Sequence, residues 1–266
     1  MSLTIMHSHL IVNADDFGLN DKVTSAILEC FRHGWITQTT LLVNMPNAEE
    51  AVKRAMADGF GNKVGLHLNF TEGVPLTDPI KEFDEICDNK GCFKRHRAGL
   101  DKIVPFESAR LRDAIRMEVR AQVERYCSFH LPLMHCDGHH HVHNRPQFIY
   151  DVLPILKEYG FKSVRNRYTV FLKYGIPRHP LKYIRGRLSQ RAFDDMVRSN
   201  GLSMTEGFGA WEGRPLSKWR RFNSFELMVH PDYDSFGRNV NVLDFAARSG
   251  PEMRNLKLEI DRFLKG

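Results

Sequence analysis

The sequence predicts a barrel-like α/β domain, and three observations lead to this prediction. Short apolar runs alternate with stretches of helical periodicity, which is typical of buried parallel strands joined by helices. The chain of 266 residues has the length of one such domain. Six of the apolar runs end in polar side chains that suit a functional site, and these follow the runs at Asp15, Asn44, His67, Asp137, Arg165 and His230. In a barrel of parallel strands, such strand ends converge on the active site.

The first half of the chain is predicted to alternate strands and helices. The strand before Asp15 and Asp16 leads to a helix with Asn20 as its N-cap and Gly34 at its end. A strand over residues 40–44, a short helix over 48–57 and a strand over 63–70 follow. Residues 72–104 combine weak periodicity with several Pro, Gly and charged residues, which predicts a long loop over the site.

The second half is predicted to continue the alternation. A long amphipathic helix over residues 107–130 precedes the strand that carries the histidines, and a helix over 146–159 follows it. Residues 161–165 and 225–230 are predicted strands, and the last helix ends near residue 264. Residues 166–222 are interpreted as an insertion of short helices and loops. Because no repeat or linker interrupts the pattern, residues 1–266 are predicted to form a single domain.

Composition limits the classes of partner. The net charge of +6 is concentrated in residues 162–221, which hold 14 basic and 4 acidic residues. No nucleic-acid module accompanies this stretch, so we interpret it as a solvated surface or a subunit contact, as in a homodimer. No apolar run is long enough for a membrane span. Five cysteines, an odd number, and the lack of a visible secretory signal predict reduced thiols and a cytoplasmic protein.

Asp15 and Asp16 form a pair of adjacent carboxylates at a predicted strand end. Neighbouring side chains on a strand point to opposite faces, so one carboxylate can ligate a metal while the other holds or deprotonates a water molecule. The alternative is a helix N-cap, since Asp is common directly before a helix. His67 lies on the face opposite Leu66 and Leu68, where it can be a metal ligand or a core histidine.

Residues 137–143, with the sequence Asp-Gly-His-His-His-Val-His, carry the strongest local signal for a metal site. In an extended strand, His139, His141 and His143 would share one face and span about 13 Å. Zinc binds imidazole nitrogens at about 2.0–2.1 Å, so one or two histidines are expected as ligands unless the chain bends sharply. The others would support the ligands or contact substrate. The alternative is a surface tract of histidines.

Five segments of the chain, taken together, resemble the YdjC-like carbohydrate deacetylase family, which includes the chitooligosaccharide deacetylases. The segments are residues 13–19, 37–44, 65–68, 137–143 and 226–231. The resemblance implies a distorted (β/α) barrel with long loop insertions and a divalent-metal site. Asp232 departs from the family, which often has Gly after His-Pro, so the shape of the substrate pocket does not follow from the resemblance.

Matched onto the family pattern, Asp16, His67 and His139 are implied as the metal ligands and Asp15 as the catalytic base. The ligand types leave the ion open between zinc and magnesium. His230 is the candidate general acid, because the pKa of histidine lies near neutrality, although it can equally be structural.

These residues lead to the hypothesis of a metal-dependent hydrolase that removes N-acetyl groups from a short amino-sugar oligosaccharide. Asn44, His141 and Arg165 are candidate contacts to this substrate. One alternative is a metal-dependent phosphoesterase with the same ligands, with the basic stretch attracting phosphate. Another is a non-catalytic protein that binds carbohydrate or nucleic acid and carries the histidines on its surface.

Overall fold

The computed structural model describes residues 9–95, 108–167, 180–220, 222–243 and 246–265. The strands of its main sheet are β1 (His9–Phe17), β2 (Gln38–Leu41), β3 (Val64–Leu68), β4 (His135–Gly138), β5 (Ser163–Val164), β6 (Gly207–Ala210) and β7 (Ser224–Val229). The helices are α1 (Asp21–Arg32), α2 (Ala48–Ala57), α3 (Ala109–Ser128), α4 (Pro146–Glu158), α5 (Pro180–Ser199) and α6 (Met253–Lys265). Within the described residues, seven parallel strands form one sheet in the order β5-β4-β3-β2-β1-β7-β6. The sheet curls into a half-barrel, which confirms the predicted fold class.

The central strands are buried along their length because helices cover the curled sheet. All residues of β2 and of β3 are buried, which explains why these strands occur in the sequence as short apolar runs. Helix α1 begins where Asn20 predicts it, since the Asn20 Oδ1 accepts the backbone N–H of Val23 at 2.9 Å. The carboxyl ends of the strands therefore meet at one rim of the half-barrel, as the polar strand ends require.

The segment before β6 contacts the opposite edge of the sheet. The N–H of Ser203 donates to the Lys162 carbonyl at 2.9 Å, and the N–H of Val164 donates to the Ser203 carbonyl at 2.9 Å. Strand β6 itself pairs with β7. Residues 203–210 thus run from one edge of the curled sheet to the other and draw the two edges together.

The interpretation of residues 166–222 as an insertion of short helices and loops was wrong. The segment contains the 20-residue helix α5 and the strand β6, rather than only short helices and loops. Strand β6 has the sequence Gly-Phe-Gly-Ala and lacks an apolar run. A Cβ at Gly207 would lie 2.5 Å from the Phe225 ring, so this position needs glycine for close packing. Because close packing requires glycine here, the strand lacks the run of large apolar residues from which strands are predicted.

Some boundaries also differ from the prediction. Strand β2 ends at Leu41, so Asn44 lies beyond the strand rather than at its end. An antiparallel ribbon of β8 (Pro231–Tyr233) and β9 (Asn239–Asn241) follows β7 and was not predicted. The predicted loop over residues 72–104 includes a 3-10 turn at Pro79–Glu82, and residues 96–104 lie outside the described residues. Among the described residues, no helix combines the length and apolar character that a membrane crossing needs.

Candidate active site

The end of β1 bends so that both adjacent carboxylates face the rim of the half-barrel. The register between β1 and β2 shifts between Ala14 and Phe17, and Asp16 has a left-handed backbone with φ of 70°. Asp is one of the few residues with a side chain that tolerates this conformation. Asp15 and Asp16 consequently line the same cavity. We expected the two side chains to point to opposite faces because adjacent residues do so in a regular strand. The strand is irregular at Asp16, so this expectation does not hold.

The histidine segment also bends sharply. Strand β4 ends at Gly138, and His140 and His141 have positive φ values of 50° and 58°. A Cβ at Gly138 would lie 3.0 Å from the backbone nitrogen of His143, so only glycine allows the chain to return this closely. His139 faces the cavity, whereas His143 turns into the interior, where its Nε2 lies 3.2 Å from the Arg165 carbonyl. The three alternate histidines therefore do not share one face.

The structure brings together the three residues implied as metal ligands, here called the ligand set (Asp16, His67 and His139). One potential ligand atom from each lies within 4.8 Å of the others. His67 Nε2 lies 3.3 Å from Asp16 Oδ1, and His139 Nδ1 lies 2.7 Å from the same oxygen. Two ligands about 2.0 Å from one tetrahedral zinc ion are roughly 3.3 Å apart. Asp16 Oδ1 and His67 Nε2 are buried and form no hydrogen bond of normal geometry, so the ligand set fits a divalent ion.

Charges within and around the ligand set shift the pKa values of its members. Burial alone would lower the pKa of His67, but the neighbouring Asp137 and Asp16 raise it to about 10. For His139, burial is likewise outweighed, and Asp16 together with Glu72 raises the pKa to about 9. Burial would raise the pKa of Asp16, yet His139 and His67 hold it well below its ordinary value. In the metal-free protein, the surrounding carboxylates thus favour the protonated form of both histidines.

Arg165 lies behind the ligand set in a second group, here called the arginine cluster (Arg165, Asp15, Asp137 and Glu226). Its Nη1 and Nη2 donate to the two carboxylate oxygens of Asp15 at 2.7 and 2.6 Å. Nη2 also lies 2.6 Å from Asp137, and Nε donates to Glu226 at 2.6 Å. The guanidinium is fully buried and lies over the Phe208 ring. Arg165 therefore contacts protein carboxylates, whereas the sequence suggested a contact to substrate.

The arginine cluster helps to decide which acidic groups can take an ion. Among the described residues, two further sets come close enough to share one, and both include Asp137. Both oxygens of Asp137 are engaged, because Oδ1 lies 2.6 Å from His67 Nδ1 and Oδ2 accepts from Thr40 at 3.0 Å and contacts Arg165. The guanidinium already supplies the positive charge at these carboxylates. The ligand set is therefore the best candidate for a metal site.

The remaining predicted residues lie around the same rim. His230 and His141 both line the cavity. The backbone N–H of His230 donates to Asn241 Oδ1 at 2.7 Å, so the β8–β9 ribbon fixes the end of β7. The side chain of Asn44 points to a loop, where its Nδ2 donates to the carbonyls of Glu72 and Val74 at 3.0 and 3.1 Å. A substrate role for Asn44 stays a prediction, and its visible contacts fix the loop.

Several residues of the site were not selected from the sequence. Asn13 donates to Asp15 at 2.8 Å, and Thr40 donates to Asp137. Glu226 interrupts the apolar run of β7, and such a carboxylate inside a buried strand is a usable signal. Glu72 lies in a loop without periodicity, where the sequence offers no comparable signal. A cavity of about 910 Å³ is lined by Asp16, Glu72 and His139 and extends to Arg248.

Comparison with known proteins places this chain in a family. The chain forms a parallel half-barrel with a buried set of acidic and histidine side chains at its carboxyl rim. It is therefore an α/β protein with a candidate metal centre. A family model described as YdjC-like protein matches residues 9–258, so the chain belongs to the YdjC-like family. This membership confirms the resemblance seen in the five sequence segments.

Several curated relatives bear the name carbohydrate deacetylase. The protein of Vibrio parahaemolyticus is 33% identical over 226 residues, which cover 84% of this chain and 78% of the relative. That of Brevibacillus brevis is 35% identical over 64% of this chain and 68% of the relative. That of Clostridium beijerinckii is 40% identical, and the match spans 57% of this chain and 57% of that protein's length.

A solved structure has the same fold. It belongs to a protein of Enterococcus faecalis V583 that is provisionally named a cellobiose-phosphate cleavage protein. The TM-score is 0.68, and the match covers 97% of this chain and 95% of that chain at 20% sequence identity. At this identity the likeness supports the fold alone.

Proposed function

We propose that this protein is a divalent-metal-dependent deacetylase that removes N-acetyl groups from short amino-sugar oligosaccharides. The observation that carries the proposal is the ligand set, in which buried atoms of Asp16 and His67 form no hydrogen bond of normal geometry and Asp16 and His139 line the cavity. Membership of the YdjC-like family and the names of the curated relatives support the acetylated carbohydrate as the substrate class. A cytoplasmic location and a small oligosaccharide partner belong to the same proposal.

Asp16, His67 and His139 would hold the ion, and zinc and magnesium are the two candidates. When bound, a divalent ion supplies an acidified water molecule and polarises the acetyl carbonyl. The chain's contribution is to hold the three ligands in place. Asp137 lies 2.6 Å from His67 Nδ1, which leaves His67 Nε2 directed at Asp16.

Asp15 is the proposed general base. It lines the cavity beside Asp16, and its Oδ2 lies 4.0 Å from His67 Nε2, so its carboxylate is close to the ligand set. The guanidinium of Arg165 binds both oxygens of Asp15 from behind and fixes the plane of the carboxylate. Arg165 is therefore a positioning residue in this proposal, in place of the substrate contact expected from the sequence.

His230 is the proposed acid that protonates the leaving amine. The register of β1 against β7 pairs Ala14 with Val229, so the next residues, Asp15 and His230, leave neighbouring strands at the same level. A base and an acid on adjacent strand ends can act on opposite sides of one amide bond. The cavity volume of about 910 Å³ is within the range of small-ligand sites and suits a short oligosaccharide. His141, which also lines the cavity, is the proposed substrate contact.

The test separates catalysis from metal binding. We expect Asp15→Asn to lower acetate release from N-acetylated chitooligosaccharides by at least about 100-fold, because the general base is lost. Metal content, measured by elemental analysis, should stay at the wild-type level. Asp21→Asn is the matched control, since Asp21 is exposed and pairs with Arg54 on the surface.

Two outcomes would contradict the proposal. Loss of the metal from Asp15→Asn would refute the division of roles between Asp15 and Asp16. Hydrolysis of phosphate esters by the metal-loaded wild type, without acetate release from any N-acetyl sugar, would favour the phosphoesterase instead.

A further inference from the structure

The loop of residues 69–77, here called the Glu72 loop, is fixed beside the ligand set by buried polar side chains. Asn69 Oδ1 accepts the N–H groups of Thr71 and Glu72 at 3.0 and 3.1 Å. The carbonyl of Glu72 accepts from Asn69 and from Asn44 at 2.7 and 3.0 Å. These bonds determine the backbone position of Glu72 on both sides of the residue.

Helix α3 anchors the same loop at its two ends. Gln122 forms two hydrogen bonds with the backbone of Asn69, at 2.9 and 2.7 Å. Glu118 accepts the N–H groups of Leu76 and Thr77 at 3.0 and 2.9 Å. Both side chains are fully buried. A buried polar network with satisfied hydrogen bonds makes the segment that it holds rigid, so the backbone of the Glu72 loop has a fixed position.

The side chain of Glu72 joins the loop to the ligand set. Its Oε2 lies 3.6 Å from His139 Nε2, and its Oε1 lies 3.1 Å from Arg95. The other nitrogen of the same ring, His139 Nδ1, faces Asp16 Oδ1. His139 therefore lies between a carboxylate of the ligand set on one side and the Glu72 carboxylate on the other.

We propose that Glu72 is a positioning residue that fixes the ring orientation and tautomer of His139. With the Nε2 proton directed at Glu72, Nδ1 is the nitrogen left to bind the ion. Asp137 is a closer carboxylate partner of the same kind for His67, since it lies 2.6 Å from Nδ1, against 3.6 Å between Glu72 and His139, and leaves Nε2 for the ion. Histidine ligands commonly have such a carboxylate partner, and loss of the partner weakens metal binding by about 10- to 100-fold. This inference rests on the metal site proposed above.

The first measurement is zinc affinity, determined by competition with a chromophoric chelator on the full chain. We expect Glu72→Gln to bind zinc at least about tenfold more weakly than the wild type, because the anionic acceptor is lost. Glu82→Gln is the matched control, since Glu82 is exposed and pairs with Arg110. It should bind zinc like the wild type. Unchanged zinc affinity in Glu72→Gln would overturn the inference.

The second measurement identifies the metal-bound nitrogen and does not depend on stability or activity. In the zinc-loaded protein with 15N-labelled histidine, we expect NMR to show His139 bound through Nδ1 and protonated at Nε2. Zinc on Nε2 would overturn the inference. Both measurements are made without substrate, so a failure to release acetate would contradict the proposed function and not the role of Glu72. Equal zinc affinity of the wild type and Asp16→Asn would overturn the metal site and this inference together.

Discussion

The ligand set and the arginine cluster are both groups of buried charge, and they lie side by side at one rim of the half-barrel. In the arginine cluster, Arg165 makes four contacts of 2.6 or 2.7 Å with three carboxylates. In the ligand set, Asp16 Oδ1 and His67 Nε2 form no hydrogen bond of normal geometry. One group is complete within the protein, whereas the other is not.

This difference distinguishes a group of charges with a structural role from a candidate ligand site. A buried charge is costly unless it is paired, so a complete cluster can be retained for structure. An incomplete cluster has buried polar atoms left for a further ligand, which makes it the better candidate for a ligand site. Asp15 belongs to the complete cluster and also lines the cavity, so it is the residue through which the two groups are connected.

The largest effect should come from removing the cation of the arginine cluster. Arg165→Met would leave three buried carboxylates without their partner, and we expect a loss of about 3–5 kcal/mol in the free energy of unfolding. Urea unfolding of the metal-loaded protein measures this change. A loss below about 1 kcal/mol would mean that the cluster is not held together by its arginine.

A second variant keeps the charge in case Arg165→Met does not fold. Arg165→Lys retains a cation but lacks the planar fork that binds both oxygens of Asp15. It should fold and lose most acetate release. Full activity of Arg165→Lys would show that the orientation of Asp15 does not depend on the fork.

The next largest effect should be the stabilisation of the protein when zinc binds the ligand set. Zinc at 100 times its Kd should stabilise the wild type by about 2.7 kcal/mol when its binding to the unfolded chain is negligible. Asp16→Asn should lose this gain, and Asn tolerates the left-handed backbone at this position. The comparison of thermal unfolding with zinc and with a chelator measures both. Equal stabilisation of the variant and the wild type would exclude Asp16 as a ligand.

Features of the molecule that have a regular sequence pattern could be predicted from the sequence. Apolar runs predicted the parallel strands, and Asn20 predicted the start of α1. Asp16, His67 and His139 were implied by the family resemblance, and their convergence in space agrees with a shared site. What sequence spacing alone suggested, a common face for His139, His141 and His143, failed because two left-handed residues reverse the chain.

The supporting residues could not be predicted in the same way. Arg165 follows an apolar run like the other candidates, and nothing local distinguishes a buried partner of Asp15 from a substrate contact. Its three carboxylate partners lie 28 to 150 residues away in the chain, and their meeting depends on the curl of the sheet. Glu72 depends on loop bonds to Asn44 and α3, which leave no periodic pattern.

The histidines of the metal-free ligand set should give a smaller change in the free energy of unfolding for each pH unit. The pKa values of His67 and His139 are raised to about 10 and about 9, above an unfolded value of about 6.5. Their contribution to stability is therefore complete below about pH 6.5 and is lost as the pH rises towards the folded values. Between about pH 7 and 8, we expect a loss of about 1 kcal/mol for each histidine.

Urea unfolding in a chelator measures this loss, and the zinc-loaded protein is the control. Zinc replaces the protons on the ligand nitrogens, so the loaded protein should not show the same fall in stability. If the metal-free protein is equally stable at both pH values, the histidines do not carry the protons that hold Asp16.

The smallest effect should come from an arginine with the same fork geometry on the surface. Arg120 on α3 donates to both oxygens of Glu158 on α4 at 2.8 and 2.6 Å, much as Arg165 binds Asp15. Both side chains are exposed, so water solvates the charges whether or not they are paired. We expect Arg120→Ala to leave the urea midpoint within measurement error. A fall comparable to that of Arg165→Met would mean that fork geometry, and not burial, gives the arginine cluster its importance.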